Sequence, residues 1–456
     1  MFYAYHRRMS DSDAARPAAV PFREALLFWL KLGFISFGGP AGQIAVMHQE
    51  LVERRRWISE RRFLHALNYC MLLPGPEAQQ LATYIGWLMH GTRGGIAAGV
   101  LFVLPSLVIL ILLSWVYMVW GDTPLVAGLL YGIKPAVTAI VLFAAWRIGS
   151  RILHNEILWA ITVAAFAAIY IFGVPFPAII LAAAALGFAG GRIAPRKFAS
   201  GPGHAESGKF FGPALIDDDT PTPAHARFRL RGLVLVCTTG LLLWTASLGA
   251  IALWLGWEGT LTRMGWFFTK AALLTFGGAY AVLPYVVQGA VQQFQWLTPA
   301  QMIDGLALGE TTPGPLIMVV AFVGFVGAWT HAADSLVLAG MAGAAVATWF
   351  TFLPSFLFIF AGAPLIETTH RQPALTAPLT AITAAVVGVI ANLAVYFALH
   401  VFWPGGQQSG IEWASVAIAA AAAIALIRFK AGVILVIAAC GLAGLAIHAM
   451  RISGSG

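Results

Sequence analysis

The chain has 456 residues, of which 59% are hydrophobic and only 10% charged, with a formal net charge of +8. A soluble domain carries about 25% charged residues, so these proportions exclude one and describe a polytopic membrane protein. The Lys and Arg residues sit mostly in loops between apolar runs, which is the positive-inside bias of membrane topology and leaves no role for nucleic acid.

Residues 1–21 are polar, with no apolar run between a basic start and a small-residue cleavage site. They are expected to form a cytoplasmic tail without a removable signal, the first apolar segment directing insertion. That segment, Ala25 to Met47, has Arg7, Arg8, Arg16 and Arg23 before it and Arg54, Arg55, Arg56, Arg61 and Arg62 after it. Both flanks therefore belong in the cytoplasm, and a simple crossing would violate the charge rule. The segment contains Phe37-Gly38-Gly39-Pro40, and the next one, Phe63 to His90, contains Pro74-Gly75-Pro76. Broken, re-entrant helices at these two places satisfy every basic loop. Irregular backbone at membrane depth is tolerated only where protein or a watery cavity surrounds it, so the breaks are expected to line the pathway.

Further along, Ile96 to Val119, Leu125 to Trp146, Leu233 to Leu255, Leu336 to Phe360 and Leu375 to Leu399 each approach or exceed the ~20 residues that span a bilayer as helix. Alternating strand patterns are absent from the sequence, which leaves helix as the spanning element. Short adjoining segments between Ile157 and Gly190 leave the crossing count open at about 10–13 transmembrane or re-entrant segments. Residues 192–231 are rich in Gly, Pro, Lys and Arg, include Asp217-Asp218-Asp219, and read as a solvated cytoplasmic linker. Cys70, Cys237 and Cys440 are far apart in apolar surroundings and suggest neither disulfides nor a metal cluster.

The chain is a tandem duplication. Lys31, Phe37-Gly38-Gly39, Trp57 and Pro74-Gly75-Pro76 return as Lys270, Phe276-Gly277-Gly278, Trp296 and Pro313-Gly314-Pro315, each 239 residues later (276 − 37 = 239). The expected layout is a first half over 22–191, the linker, a single bridging helix over 232–256, and a second half over 262–450. One unpaired crossing between halves of even crossing number turns the second half upside down. Loop charge agrees: Glu50 to Arg62 carries five arginines while Gly289 to Gln301 carries none. Likewise Arg147 and Arg151 face Tyr396 and His400, and the uncharged turn Gly173-Val174-Pro175 faces Arg428-Phe429-Lys430. Inverted repeats with interrupted helices are a transporter's signature.

Thr298-Pro299 is a good helix start, and Ser59 holds the matching place. Proline lacks an amide proton and clashes with the preceding turn, so Pro74, Pro76, Pro313 and Pro315 end one half-helix and begin another. A fresh helix N-terminus carries roughly half a positive charge and is a ready anion site. Gly38, Gly39, Gly277 and Gly278 let the backbone approach a ligand, and Ser36 and Thr275 add a hydroxyl beside each pair. Close helix packing is the competing account of these glycines. Lys31 and Lys270 are intramembrane charges and candidate ligands, with snorkelling to the interface as the alternative. Glu77 follows the first Pro-Gly-Pro and Glu310 precedes the second. Either could carry a coupling proton, although a carboxylate such as Glu77 at a helix N-terminus also simply stabilises it, by roughly 0.3–1 kcal/mol. Asn68, Gln79, Gln80, Thr83 and Tyr84 offer neutral polar lining, whereas His48, His65, His90 and Asp304, lone titratable residues near segment ends, rank below them. Arg54, Arg55 and Arg56 serve topology first and attraction of an anion second. No nucleotide motif, metal cluster or nucleophile with its base is present in the sequence, so an enzyme, a cofactor or ATP-driven pumping is not expected.

The stretches Phe34-Ile35-Ser36-Phe37-Gly38-Gly39-Pro40, Glu53-Arg54-Arg55-Arg56-Trp57-Ile58-Ser59-Glu60 and Asn68 to Gln80, together with Leu104-Pro105-Ser106, resemble the chromate ion transporter family in its long, two-domain form. The resemblance covers nearly the whole chain. It implies efflux of chromate across a bacterial plasma membrane and chromate resistance, with functional residues in the Gly-Gly-Pro, Arg-rich and Pro-Gly-Pro-Glu motifs. The second half departs from the first, with Ala279 in place of Pro40 and Leu316 in place of Glu77. Expelling a dianion from a negative interior gains about 4.6 kcal/mol per 100 mV, so membrane potential could drive export alone, with protons as a second source. Sulfate, also a tetrahedral dianion, is the rival substrate. An anion channel is the rival class, and a scaffold has no use for breaks that cost several kcal/mol per unsatisfied backbone group. Whether the chain pairs as a homodimer stays open.

Overall fold

The computed structural model describes residues 16–198, 210–331, 335–369, 376–406 and 410–454. Arg7, Arg8 and part of the linker lie outside these. The described residues form an all-helical protein of sixteen α-helices, seven of which are long and apolar enough to cross a membrane. In chain order the first half comprises α1 (Phe22–Ile35), α2 (Gly39–His48), α3 (Glu60–Leu72), α4 (Glu77–Trp120), α5 (Pro124–Ile152), α6 (Glu156–Tyr170) and α7 (Phe176–Ile193). Then comes α8 (Leu230–Leu255), and the second half comprises α9 (Thr260–Leu273), α10 (Ala279–Val287), α11 (Pro299–Thr311), α12 (Val319–Thr330), α13 (Leu336–Thr369), α14 (Thr376–Phe402), α15 (Trp413–Ile427) and α16 (Val433–Gly454).

The duplication reaches down to local geometry. A π-helical turn follows α2 at Gln49–Arg54 and follows α10 at Gln288–Gln293. The residue in the left-handed region just after it, Arg56 in one half and Gln295 in the other, has φ 52° in both. Both third helices are capped: the Ser59 hydroxyl accepts from Arg62 N, and Thr298 with Gln301 forms a full capping box. Gly91, at φ 64°, breaks the helical path inside α4, so one continuous element in the first half matches two, α12 and α13, in the second.

The halves interlock through α5 and α14, which pack on each other and each on the other half's last helices. Small residues allow the approach. Gly132 lies under the Cys440 carbonyl and Gly444, and Gly388 under the Thr162 carbonyl, where Thr162 Oγ1 also donates to Ala384 O at 2.7 Å. Matching turns close the short outer hairpins. Val174 N donates to Ala168 O and Ala431 N to Ala425 O, which aligns Gly173 (φ 61°) with Lys430 (φ 51°). This register sits two residues from the one read off loop charge. Helix α8 packs on α9 and α13 and is otherwise largely exposed.

The linker differs from the solvated segment expected. Ala214, Ile216 and Ala226 are buried. Leu215 N and Ile216 N donate to Arg56 O and Trp57 O at 2.9 and 3.0 Å, and Ser59 N donates to Ile216 O at 2.9 Å. The strap runs on to His225, whose ring nitrogen lies 2.9 Å from Trp87 O. Its acidic run serves the same purpose, Asp218 accepting from Ser59 Oγ at 2.6 Å and Asp219 pairing with Arg16. Composition misled here because three apolar side chains and a row of backbone donors suffice to dock a polar segment. Ile216→Asp removes burial worth about 2 kcal/mol, so exchange at the 215–216 and Ser59 amides should quicken more than about tenfold in hydrogen-exchange mass spectrometry. Unchanged protection would show that the strap is held by something else.

Candidate functional site

The four chain breaks meet crosswise in two pairs. Helix α1 stops at Ile35 and α2 starts at Gly39, with Gly38 at φ 87° and Gly39 at φ 68°. In the second half Gly277 and Gly278 take φ 78° and 96° before α10. Glycine reaches this region without the steric penalty that a Cβ brings. Pro74-Gly75-Pro76 separates α3 from α4, and Pro313-Gly314-Pro315 separates α11 from the 3₁₀ turn that opens α12.

Each Pro-Gly-Pro loop is tied to the other half's Phe-Gly-Gly loop. Gly75 N donates to Thr275 O at 2.7 Å, and Gly314 N donates to Ser36 O at 2.8 Å. The reciprocity continues in the side chains. A Cβ on Gly75 would lie 2.5 Å from Ser355 Oγ, and one on Gly314 would lie 2.9 Å from Ser106 Cβ. Ser106 and Ser355 come from α4 and α13, so each half supplies a serine to the other's break. Of these two serines Ser106 stands within the Leu104-Pro105-Ser106 motif; Ser355 follows a proline in the same way, as Pro354-Ser355. Their symmetric recurrence beside apolar helix was the signal.

Ser36, Thr275, Ser106, Ser355, Gln43, Gln79 and Gln80 are all buried. Ser36 Oγ, Ser106 Oγ, Ser355 Oγ and the side-chain oxygens of Gln43, Gln79 and Gln80 have no hydrogen-bond partner among the described residues. Gln43 donates instead to Gly314 O, and Gln80 Nε2 donates to Pro74 O at 2.8 Å. Gln43 is a further residue that the sequence did not single out, since Val282 stands at its repeat position. The starts of α2, α4 and α10 and of the 3₁₀ turn carry no side-chain cap. Buried hydroxyls and uncapped amides are neutral donors that suit an anion. Gly75 and Gly314 amides are already committed to carbonyls, so the donors left are those of the residues after each break.

The expected cations stand apart from the breaks, whereas Glu77, Glu310 and Pro40 adjoin them. Lys31 is exposed on α1, and Lys270 lies 5.8 Å over the ring of Trp266, an outward-facing residue. Among the described residues neither forms an ion pair at the breaks. Arg54 pairs with Glu50 at 2.6 Å, and Arg55 stacks 4.8 Å over Phe28 and 5.1 Å over Trp57. Arg56 packs beside Gly212 of the strap. All three lie beyond the start of α3, about 20 Å of helix from Pro74. Asn68 is half-buried on α3; Glu77 is half-buried as the first residue of α4. Glu310 accepts from the buried Tyr280 hydroxyl just before Pro313. Pro40 occupies the first turn of α2, where its missing amide costs nothing.

The profile described as chromate transporter matches residues 23–188 and again 262–445. The chain belongs to the chromate transporter family. As a long-form member it is 29% identical over 409 residues to a chromate transport protein of Cupriavidus metallidurans, covering 90% of this chain and 88% of the relative. It is 32% identical over 404 residues to one from Pseudomonas aeruginosa, with 84% of each covered. An uncharacterized transporter of Bacillus subtilis aligns over 116 residues, 25% of this chain but 65% of the relative. No solved structure matches the chain. With seven apolar spans and these relatives, this family member is a multi-pass protein of a bacterial inner membrane.

Proposed function

We propose that the protein exports chromate from the cytoplasm as a secondary carrier and so confers chromate resistance, with the crossed breaks as the anion site. The observation that carries this reading is the reciprocal pairing of Gly75 with Thr275 and of Gly314 with Ser36 among buried, unpartnered hydroxyls. Neutral donors hold a tetrahedral dianion without a fixed cation that would bind it too tightly to release. The substrate assignment leans on the relatives named chromate transport proteins. Membrane potential favours expulsion of a dianion by about 4.6 kcal/mol per 100 mV, and Glu77 and Glu310, flanking the two breaks, are the carboxylates assigned to gating.

We further infer that the halves insert in opposite orientation. The strap that touches Arg56 to Ser59 also touches Trp87, near the start of the long arm of α4. The arm from Gly91 to Trp120 is about 43 Å long, and the turn at its far end shares a cavity with Thr298–Gln301, the repeat counterpart of the Ser59 region. Accessibility labelling of cysteines placed beside Arg54 and beside Gln293 tests this: modification from the same side refutes inversion.

Inside-out vesicles respiring on added substrate should accumulate labelled chromate, and collapse of the potential and the pH gradient together should abolish the accumulation. Uptake of sulfate that chromate does not inhibit would move the assignment to sulfate. Single-channel currents from the purified protein would replace the carrier with a channel.

A further inference from the structure

A second polar site lies away from the breaks. A cavity of about 640 Å³ opens among the ends of α4, α5, α11 and α14. At its base Asp304 of α11 is 1% exposed, its carboxylate 3.4 Å from Lys134 Nζ of α5 and accepting from Tyr117 Oη of α4 at 3.0 Å. The other carboxylate oxygen, Oδ1, is buried without a hydrogen-bond partner among the described residues. A buried carboxylate with a spare oxygen is costly and not explained by stability, because replacing such a pair with apolar residues is often neutral or better.

The position is peculiar to one half: the repeat counterpart of Asp304 is His65. It also bridges the halves, since Tyr117 and Lys134 belong to the first and Asp304 to the second. Asp304 stands six residues before Glu310 on the same rigid helix, about 9 Å along it, and that helix ends at Pro313-Gly314-Pro315. Anything that makes or breaks the Lys134 pair therefore bears on the second break.

Resting on the transport reading above, we propose that Asp304 is the proton site of coupled transport, loaded through this cavity from the face opposite the strap, with Lys134 as the cation that protonation releases. An anion ligand fits poorly, because Asp122 and Glu412 also line the cavity. The charged and titratable groups facing Asp304 are Tyr117 on α4 and Asp122 just after it, Tyr131 and Lys134 on α5, and His400 on α14. From the last helices come Glu412 and His448, with Arg451 held on Glu412 at 2.6 Å. Among the described residues, Lys134 alone of the cations contacts Asp304 directly. Proton arrival neutralises the carboxylate, the Lys134 attraction falls away, and α11 is free to shift against α5.

Proteoliposomes holding a trapped pH dye and the full-length protein test this through two readouts, chromate-dependent proton movement and labelled chromate–chromate exchange. Asp304→Asn should keep exchange within about twofold and lose proton movement by at least tenfold. Proton movement at the wild-type rate in Asp304→Asn overturns the proposal. Exchange without any proton movement in the wild type overturns it too but leaves the transport reading standing, whereas absence of wild-type exchange removes both. Should Asp304→Asn fail to fold, Lys134→Met serves: the pH of half-maximal coupled uptake should rise by about one unit or more, the effect of removing an opposite charge at this distance. An unchanged profile in that variant overturns the proposal.

Discussion

Gly75→Ala is expected to abolish chromate transport while leaving the protein inserted. The residue sits at φ 129°, where an L side chain is strained, and its Cβ would lie 2.5 Å from Ser355 Oγ and 2.6 Å from Gln80 Nε2. Backbone strain there costs of order 1–3 kcal/mol, and relief by moving the loop breaks the 2.7 Å bond from Gly75 N to Thr275 O, worth about 1 kcal/mol more. Either outcome misplaces the uncapped start of α4, so vesicle uptake should fall more than about tenfold, the effect of roughly 1.4 kcal/mol. Gly314→Ala should be nearly as damaging, with Ser106 Cβ at 2.9 Å. Gly38→Ala should be milder, because its Cβ would meet nothing nearer than 3.7 Å and only the φ of 87° opposes it. Equal activity of Gly75→Ala and wild type at matched expression would remove the crossed breaks as the site.

Arg62→Met should be the most destabilising substitution outside the breaks. Glu367 of α13 is 5% exposed and accepts from Tyr84 Oη at 2.5 Å, with Arg62 Nη1 at 3.4 Å as its only cation contact among the described residues. Losing Arg62 leaves a buried charge unpaired, a cost of about 3–5 kcal/mol. The strap also loosens, since Arg62 Nη2 donates to Thr220 O at 2.5 Å. The double variant Arg62→Met with Glu367→Leu should recover most of the loss, because an apolar replacement of both partners removes the desolvation cost. Thermal unfolding in detergent checks both; a double variant no more stable than Arg62→Met would mean that the pair is not the source.

Much of this molecule was determined by the residues themselves. Apolar length set the spans, because a bilayer admits little but helix. Proline and glycine set the breaks, because proline bars a continuous helix locally and glycine admits the positive φ seen at Gly38, Gly39, Gly75 and Gly314. Loop charge carried the proposed inversion, and the 239-residue repeat carried the match between halves. What lay beyond the sequence was which distant groups meet. Only the folded chain pairs Gly75 with Thr275 and Gly314 with Ser36, turns Ser106 and Ser355 toward the opposite break, and docks residues 214–226 on the Arg-rich loop. The exposure of Lys31 and the seat of Lys270 over Trp266 have the same cause as the meeting of Asp304 with Lys134. The direction of a side chain off a helix depends on which face the neighbouring helices bury, and in a bundle made of two interlocked halves that is decided by contacts more than a hundred residues apart.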